Sequence, residues 1–243
     1  MKLSNNKILI TGGASGIGFG LAERFIKEGN TVIICGRKKD VLDEAAGKLP
    51  GLFTIQVDLS GHEGREELFN KIKMDHIDTN VLINNAGIQQ WMSIEDDNFM
   101  QRAKDEISIN IEAPVHLSWL FSKMDSINTI INVSSGLAFS PLAKTPVYCG
   151  TKAFIRSFSL SLRHLLKAKG IEVIELIPPA LNTDLGGKGI HDFAPPVSDF
   201  IEAVFEQLKQ GKTEITFGFS EAMLNIGKDQ LNSAFARMNQ SEN

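Results

Sequence analysis

Tyr148 and Lys152 stand four residues apart in the stretch Tyr148-Cys149-Gly150-Thr151-Lys152. That spacing puts two side chains on one face of a helix. A phenol ordinarily titrates near pH ~10, too high for ready proton transfer at neutral pH. An ammonium within a few ångströms favours the phenolate and lowers that value. Such a pair can give and take the proton of a carbonyl/alcohol couple. Tyr148 is also the only tyrosine among the 243 residues. A bare Y-x-x-x-K equally fits a buried aromatic beside a solvated lysine, so its weight comes from what precedes it.

What precedes it alternates strands with helices. Lys7 to Thr11 is a short apolar run of buried parallel-strand type. The turn Thr11-Gly12-Gly13-Ala14-Ser15-Gly16-Ile17-Gly18 follows, then Ile17, Leu21 and Phe25 at helical spacing, and Gly29 where a C-cap is wanted. Thr31 to Cys35 reads as a second strand. Glycines placed between a strand and a helix bring backbone amides and a helix N-terminus against a pyrophosphate. Further on, Asp40 to Lys48 suits a helix, Phe53 to Val57 a strand ending at Asp58, Gly61 to Asp75 a helix, and Val81 to Ile83 a strand running into Asn84-Asn85-Ala86-Gly87. A long helical region from about Glu95 to Met124 carries Pro114 as a local irregularity. Thr129 to Val133 is a strand ending in Ser134-Ser135. The helix after Tyr148 sets Phe154, Phe158, Leu162 and Leu165 on one face, and Ile171 to Ile177 is a strand stopped by Pro178-Pro179. Glu214 to Gly218 resembles a last strand, and Ser220 to Met238 an added helix.

This order predicts one α/β domain of Rossmann type, a doubly wound parallel sheet of about seven strands. Its dinucleotide half spans about residues 1–90, its catalytic half about 91–218 and its C-terminal helix about 220–238. Ligands of such sheets bind beyond the carboxyl ends of the strands, and the small and polar residues collect there.

Composition narrows the partners. At 42% hydrophobic and 22% charged residues the chain has material for a full core. A net charge of −4 with scattered cations argues against nucleic acid or an anionic membrane surface. No apolar run approaches the ~20 residues of a membrane span, and the N-terminus lacks a signal-peptide layout, so a cytoplasmic protein is expected. Cys35 and Cys149 are isolated thiols, and no Cys/His spacing suggests a metal.

Together these residues resemble the short-chain dehydrogenase/reductase family. The likeness runs from Ile8 to about Phe217 and rests on the Thr11–Gly18 turn, Asn84–Gly87, Asn110, Asn132-Val133-Ser134-Ser135, Tyr148-x-x-x-Lys152 and Pro178. It implies an oxidoreductase passing hydride between a nicotinamide cofactor and a ketone or secondary alcohol. By that likeness Tyr148 handles the proton, Ser135 orients the substrate oxygen, and Lys152 holds the nicotinamide ribose and keeps the tyrosine acidic. Asn110 interrupts its helix and holds a water behind Lys152. The cofactor would lie along Gly12, Ala14, Ser15, Gly16, Ile17 and Gly18, with Asn85, Ala86 and Gly87 at the ribose and Asp58 and Leu59 at the adenine. Pro178, Leu181 and Thr183 would reach the carboxamide. Pro179 stands where the family usually has glycine, which fixes φ and alters that path.

An acidic residue at the end of strand 2 would hold a ribose 2′-hydroxyl. This chain has Cys35-Gly36-Arg37 followed by Lys38 and Lys39, and Arg37 can fork onto a 2′-phosphate. NADPH is therefore expected, with NADH as the alternative. Leu185 to Pro196 reads as a mobile loop. Phe139, Leu142, Gln89, Gln90, Trp91 and Phe193 are pocket candidates, although Trp91 and Phe193 fit a core better. The ending also resembles a subgroup of the family encoded among bacterial D-alanylation genes. Family analogy implies a homodimer or homotetramer through the helices carrying Asn110 and Tyr148. The rival reading is a regulator that binds dinucleotide without turnover; a nucleotide-sugar dehydratase or epimerase fits the chain length and glycine spacing less well.

Overall fold

The computed structural model describes residues 1–240. Its elements follow in chain order as β1 (Lys7–Thr11), α1 (Gly16–Lys27), β2 (Thr31–Gly36), α2 (Lys39–Lys48), β3 (Phe53–Gln56), α3 (His62–Asp75), β4 (Val81–Asn84), α4 (Phe99–Ile107), α5 (Ala113–Phe121), β5 (Thr129–Val133), α6 (Pro146–Leu166), β6 (Glu172–Ile177), α7 (Val197–Lys209), β7 (Glu214–Thr216), α8 (Phe219–Asn225) and α9 (Lys228–Met238). The seven strands form one sheet in the order β3-β2-β1-β4-β5-β6-β7, every pair parallel. The chain reverses its winding between β1 and β4, which opens a crevice at their carboxyl ends.

Both faces of the sheet are covered over its central strands, so β1, β2, β4, β5 and β6 are mostly apolar rather than alternating, while edge strand β3 stays partly exposed. Successive side chains still point to opposite sides. Ile8, Ile10, Val32 and Ile34 pack under Leu21, Phe25, Phe200 and Phe205 of α1 and α7. Leu9, Ile33 and Leu82 face Leu68, Ile72, Leu117 and Phe121 of α3 and α5.

The irregularity expected at Asn110 and Pro114 takes a definite form, and two other expectations need correction. The long helical region is interrupted over Ser108–Glu112, where the backbone widens into a π turn, one turn before Pro114. Proline has no N–H for the Asn110 carbonyl four residues back, so the defect lands there. On α6 the buried stripe is Tyr148, Lys152, Ile155, Ser159, Leu162 and Leu166. Phe154 and Leu165 face outward at 43% and 69% exposure. The tail forms two helices in place of one, broken at Ile226-Gly227, with Gly227 as N-cap of α9.

Candidate active site

The glycine turn and the loop after β4 are built against each other. Thr11 Oγ1 accepts the backbone N–H groups of Asn85 and Ala86, each at 3.0 Å. The Asn85 amide returns two bonds to the carbonyls of Thr11 and Gly12, both 3.0 Å. Gly12 sits at φ +63°, and a Cβ there would stand 2.9 Å from Ala86 Cα. Gly18 is a packing glycine: a Cβ on it would meet Gly12 O at 2.4 Å and Asn85 Nδ2 at 2.5 Å. Ser15 at the N-cap of α1 makes no side-chain cap bond, and the first turn carries no acidic residue. The first N–H groups of α1 therefore remain available to an anion. This cradle fits a pyrophosphate.

A cleft of about 1820 Å³ runs from this turn along the carboxyl edge of the sheet. Gly12, Ala14, Ser15, Gly16, Ile17, Arg37, Leu59, Asn85, Ala86, Gly87, Ser135, Tyr148, Lys152, Pro178, Leu181 and Thr183 all line it. Asp58 does not; its exposed carboxylate accepts the Ser60 N–H at 2.9 Å.

At the centre of the cleft Tyr148 and Lys152 are each 5% exposed. Lys152 Nζ donates to Val133 O at 2.8 Å and lies 5.6 Å from the centre of the Tyr148 ring. Burial pushes the Tyr148 phenol up, and its hydrogen bond with Ser135 pulls it back in part. Desolvation lowers the Lys152 ammonium to about 8. The phenol is thus a neutral acid here, where sequence reasoning anticipated a lowered value. The Ser135 hydroxyl oxygen accepts the Leu137 N–H at 3.1 Å, which leaves its own proton to donate. Asn110 lies behind the cleft: its Oδ1 accepts the Ile88 N–H and its Nδ2 donates to Ile88 O, both at 2.9 Å. A Cβ at Gly87 would stand 3.3 Å from Asn110 Oδ1 and 3.6 Å from Lys152 Nζ, so Gly87 is where the two converge.

Of the pocket candidates, Gln89, Trp91, Leu142 and Phe193 line the cleft. Trp91 and Phe193 were expected in the core, yet Phe193 is 82% exposed at the mouth. Phe139 turns away beneath the Arg156 guanidinium, and Gln90 donates to Arg102 O. The 185–196 loop is closed at its base by Asn182 N–H to Pro195 O at 2.8 Å. The tail also reaches the cleft: Met238 lines it, and Asn239 bonds Pro141 O and Ala143 N–H.

Sequence reasoning missed the polar supports beneath the site. Asn84 donates to Ser118 Oγ at 3.1 Å and to Asn132 Oδ1 at 2.9 Å, and Asn132 donates to Ser159 Oγ at 3.0 Å. This buried chain ties β4 and β5 to α5 and α6. Glu175, fully buried on β6, accepts Ser134 Oγ and Arg156 Nη1, the latter at 3.0 Å. Asparagine and glutamate inside apolar strands were the available signal.

Residues 6–192 match the family described as short chain dehydrogenase. The chain is 41% identical to the uncharacterized oxidoreductase DltE of Bacillus subtilis, with 100% of both chains covered. It is 33% identical to serine 3-dehydrogenase of Agrobacterium fabrum, covering 73% of this chain and 72% of the relative. Among solved structures it resembles a short chain dehydrogenase from Burkholderia cenocepacia in complex with NADP, at TM-score 0.84 and 23% identity, with 99% and 100% covered.

Proposed function

Because this chain belongs to the short-chain dehydrogenase family, and so to the oxidoreductases, we propose that it reduces a ketone to a secondary alcohol, or the reverse, with NADPH. The observation that carries the reading is the convergence of Ser135, Tyr148 and Lys152 in a cleft that begins at an open helix N-terminus. When bound, the nicotinamide supplies or takes the hydride. The protein's part is the proton and the placement. Ser135 donates to the carbonyl oxygen and fixes it beside the phenol. Tyr148 gives its proton to that oxygen as negative charge develops. The Lys152 ammonium, anchored on Val133 O, stabilises the phenolate left behind.

Preference for the 2′-phosphate rests on charge. Arg37 and Lys38 line the cleft, are exposed, and take part in no ion pair among the described residues, whereas Lys39 is held by Asp43 at 2.6 Å. A charge-assisted bond of roughly 1.5–3 kcal/mol corresponds to about 10–100-fold in affinity. Arg37→Asp is expected to raise the KM for NADPH by that factor and to favour NADH, read from initial rates with each cofactor.

The substrate end is apolar, with Leu137, Leu142, Trp91, Phe219 and Met238 in its wall. Apart from Lys152, the arginines and lysines that line the cleft are Arg24, Lys27, Arg37 and Lys38, all from α1 or the end of β2. Among the described residues no further arginine or lysine waits there for a carboxylate, and His191 is the one other basic side chain in the lining, so apolar ketones are the first class to test, ahead of the serine of the Agrobacterium relative. Nicotinamide oxidation should be followed at fixed NADPH across apolar ketones, diketones and, in reverse, serine and 3-hydroxy acids. Dinucleotide binding with no turnover on any of them would favour the regulator instead.

Phe154 and Leu165 on α6 and Trp119 on α5 present exposed apolar surface, Trp119 at 54%. These faces support a homodimer or homotetramer. Light scattering should return a multiple of 26.7 kDa, and the double change Phe154→Glu, Leu165→Glu should shift it toward the monomer.

A further inference from the structure

Away from the cleft, the fold brings together three metal-ligating side chains that sequence spacing does not connect. His62 and Glu66 lie four apart on α3, and therefore on one face. His116 lies on α5, which packs against α3. One donor atom from each residue falls within 4.8 Å of the other two. Glu66 Oε1 stands 3.7 Å from His62 Nε2 and 3.9 Å from His116 Nε2. We propose that His62, Glu66 and His116 form a binding site for a divalent zinc-type ion that clips α3 to α5.

The separations favour an ion over a simple hydrogen-bonded cluster. Both exceed the reach of a hydrogen bond, which ends near ~3.2 Å. Donors about 2.0–2.2 Å from a tetrahedral zinc lie roughly 3.3 Å from one another, so only a small closing movement is needed. His62 and Glu66 can make it, with side chains 66% and 46% exposed; the His62 ring, stacked on His116 at 4.7 Å between centroids, turns so that both lone pairs converge. His116 is the fixed point, its side chain 14% exposed and its Nδ1 buried without a hydrogen-bond partner. The nearby cations are engaged elsewhere. Arg65 bonds Leu59 O, Ser60 O and Glu112, and Lys123 lies 3.0 Å above the Trp119 ring. Two imidazoles and one carboxylate suit Zn²⁺ and its late first-row neighbours better than calcium or magnesium.

The test is calorimetric titration of ZnCl₂ into the full, untagged chain after treatment with EDTA. One zinc per chain is expected, with a rise in thermal midpoint at saturation. His116→Ala should weaken binding by at least about tenfold, the scale on which even an outer-shell partner matters. Glu66→Gln, a near-isosteric change at a half-buried position, should weaken it likewise. The proposal is overturned if no one-to-one binding is seen. It is equally overturned if folded His116→Ala or Glu66→Gln, checked by circular dichroism, binds zinc as tightly as the unchanged chain.

Discussion

Tyr148→Phe is expected to lower kcat by roughly 10²–10⁴-fold, the range a positioned general acid contributes. The ring stays and only the hydroxyl goes, so the buried packing at this site is retained and dinucleotide affinity should remain near that of the unchanged chain. Stopped-flow reduction and dinucleotide titration separate the two. A Phe variant that turns over at the original rate would remove Tyr148 from the chemistry. The pH profile adds a second check. Burial keeps the phenol protonated across the neutral range, so the acid itself is not lost there. Lys152 titrates first, near 8. Below that value its ammonium stabilises the phenolate that follows proton transfer; above it the ammonium is gone. Reductive kcat/KM should therefore fall as pH rises through about 8, and Lys152→Met should lie on a low plateau without that limb.

Arg156→Met carries the largest expected effect on stability. Arg156 Nη1 pairs with Glu175 Oε2 at 3.0 Å and with Glu214 Oε1 at 2.9 Å, and Glu175 is fully buried. Breaking a buried pair from one side leaves the other charge uncompensated, a loss of roughly 3–5 kcal/mol. Burial already raises the Glu175 pKa, and Arg156 opposes that rise. Without the arginine the folded pKa climbs further above the unfolded one. The folded state then holds the extra proton, so the variant loses stability as pH rises through that window and regains it as pH falls. Urea melts at pH 5 and pH 8 should show the deficit shrinking at pH 5. Equal deficits at both would place the effect in lost packing against Phe139, which the Arg156 guanidinium covers at 4.5 Å.

Much of this was legible in the residues because it is local. Val32-Ile33-Ile34-Cys35 can only be a strand buried on both faces, and a glycine turn between such a strand and an amphipathic helix leaves the helix N-terminus open. Tyr148 and Lys152 share a helix, so their nearness follows from its pitch alone. Where local signals competed, the reading slipped. Phe154 and Leu165 keep helical spacing with the core residue Leu162, yet they form an outward stripe that periodicity by itself cannot orient. Trp91 and Phe193 look like core side chains by type, and their surroundings place them at the mouth of the cleft.

The sequence by itself determined the apolar strands, the glycine turn and the nearness of Tyr148 to Lys152, since each depends on residues close together in the chain. The tertiary structure decided what depends on lateral packing. It set the buried Asn84–Asn132–Ser159 chain, the Glu175–Arg156 pair and the raised phenol of Tyr148. It also brought His116 against His62 and Glu66. In each case the governing quantity is burial or distance between elements remote in the chain, and that exists only once α3, α5 and α6 have closed over the sheet.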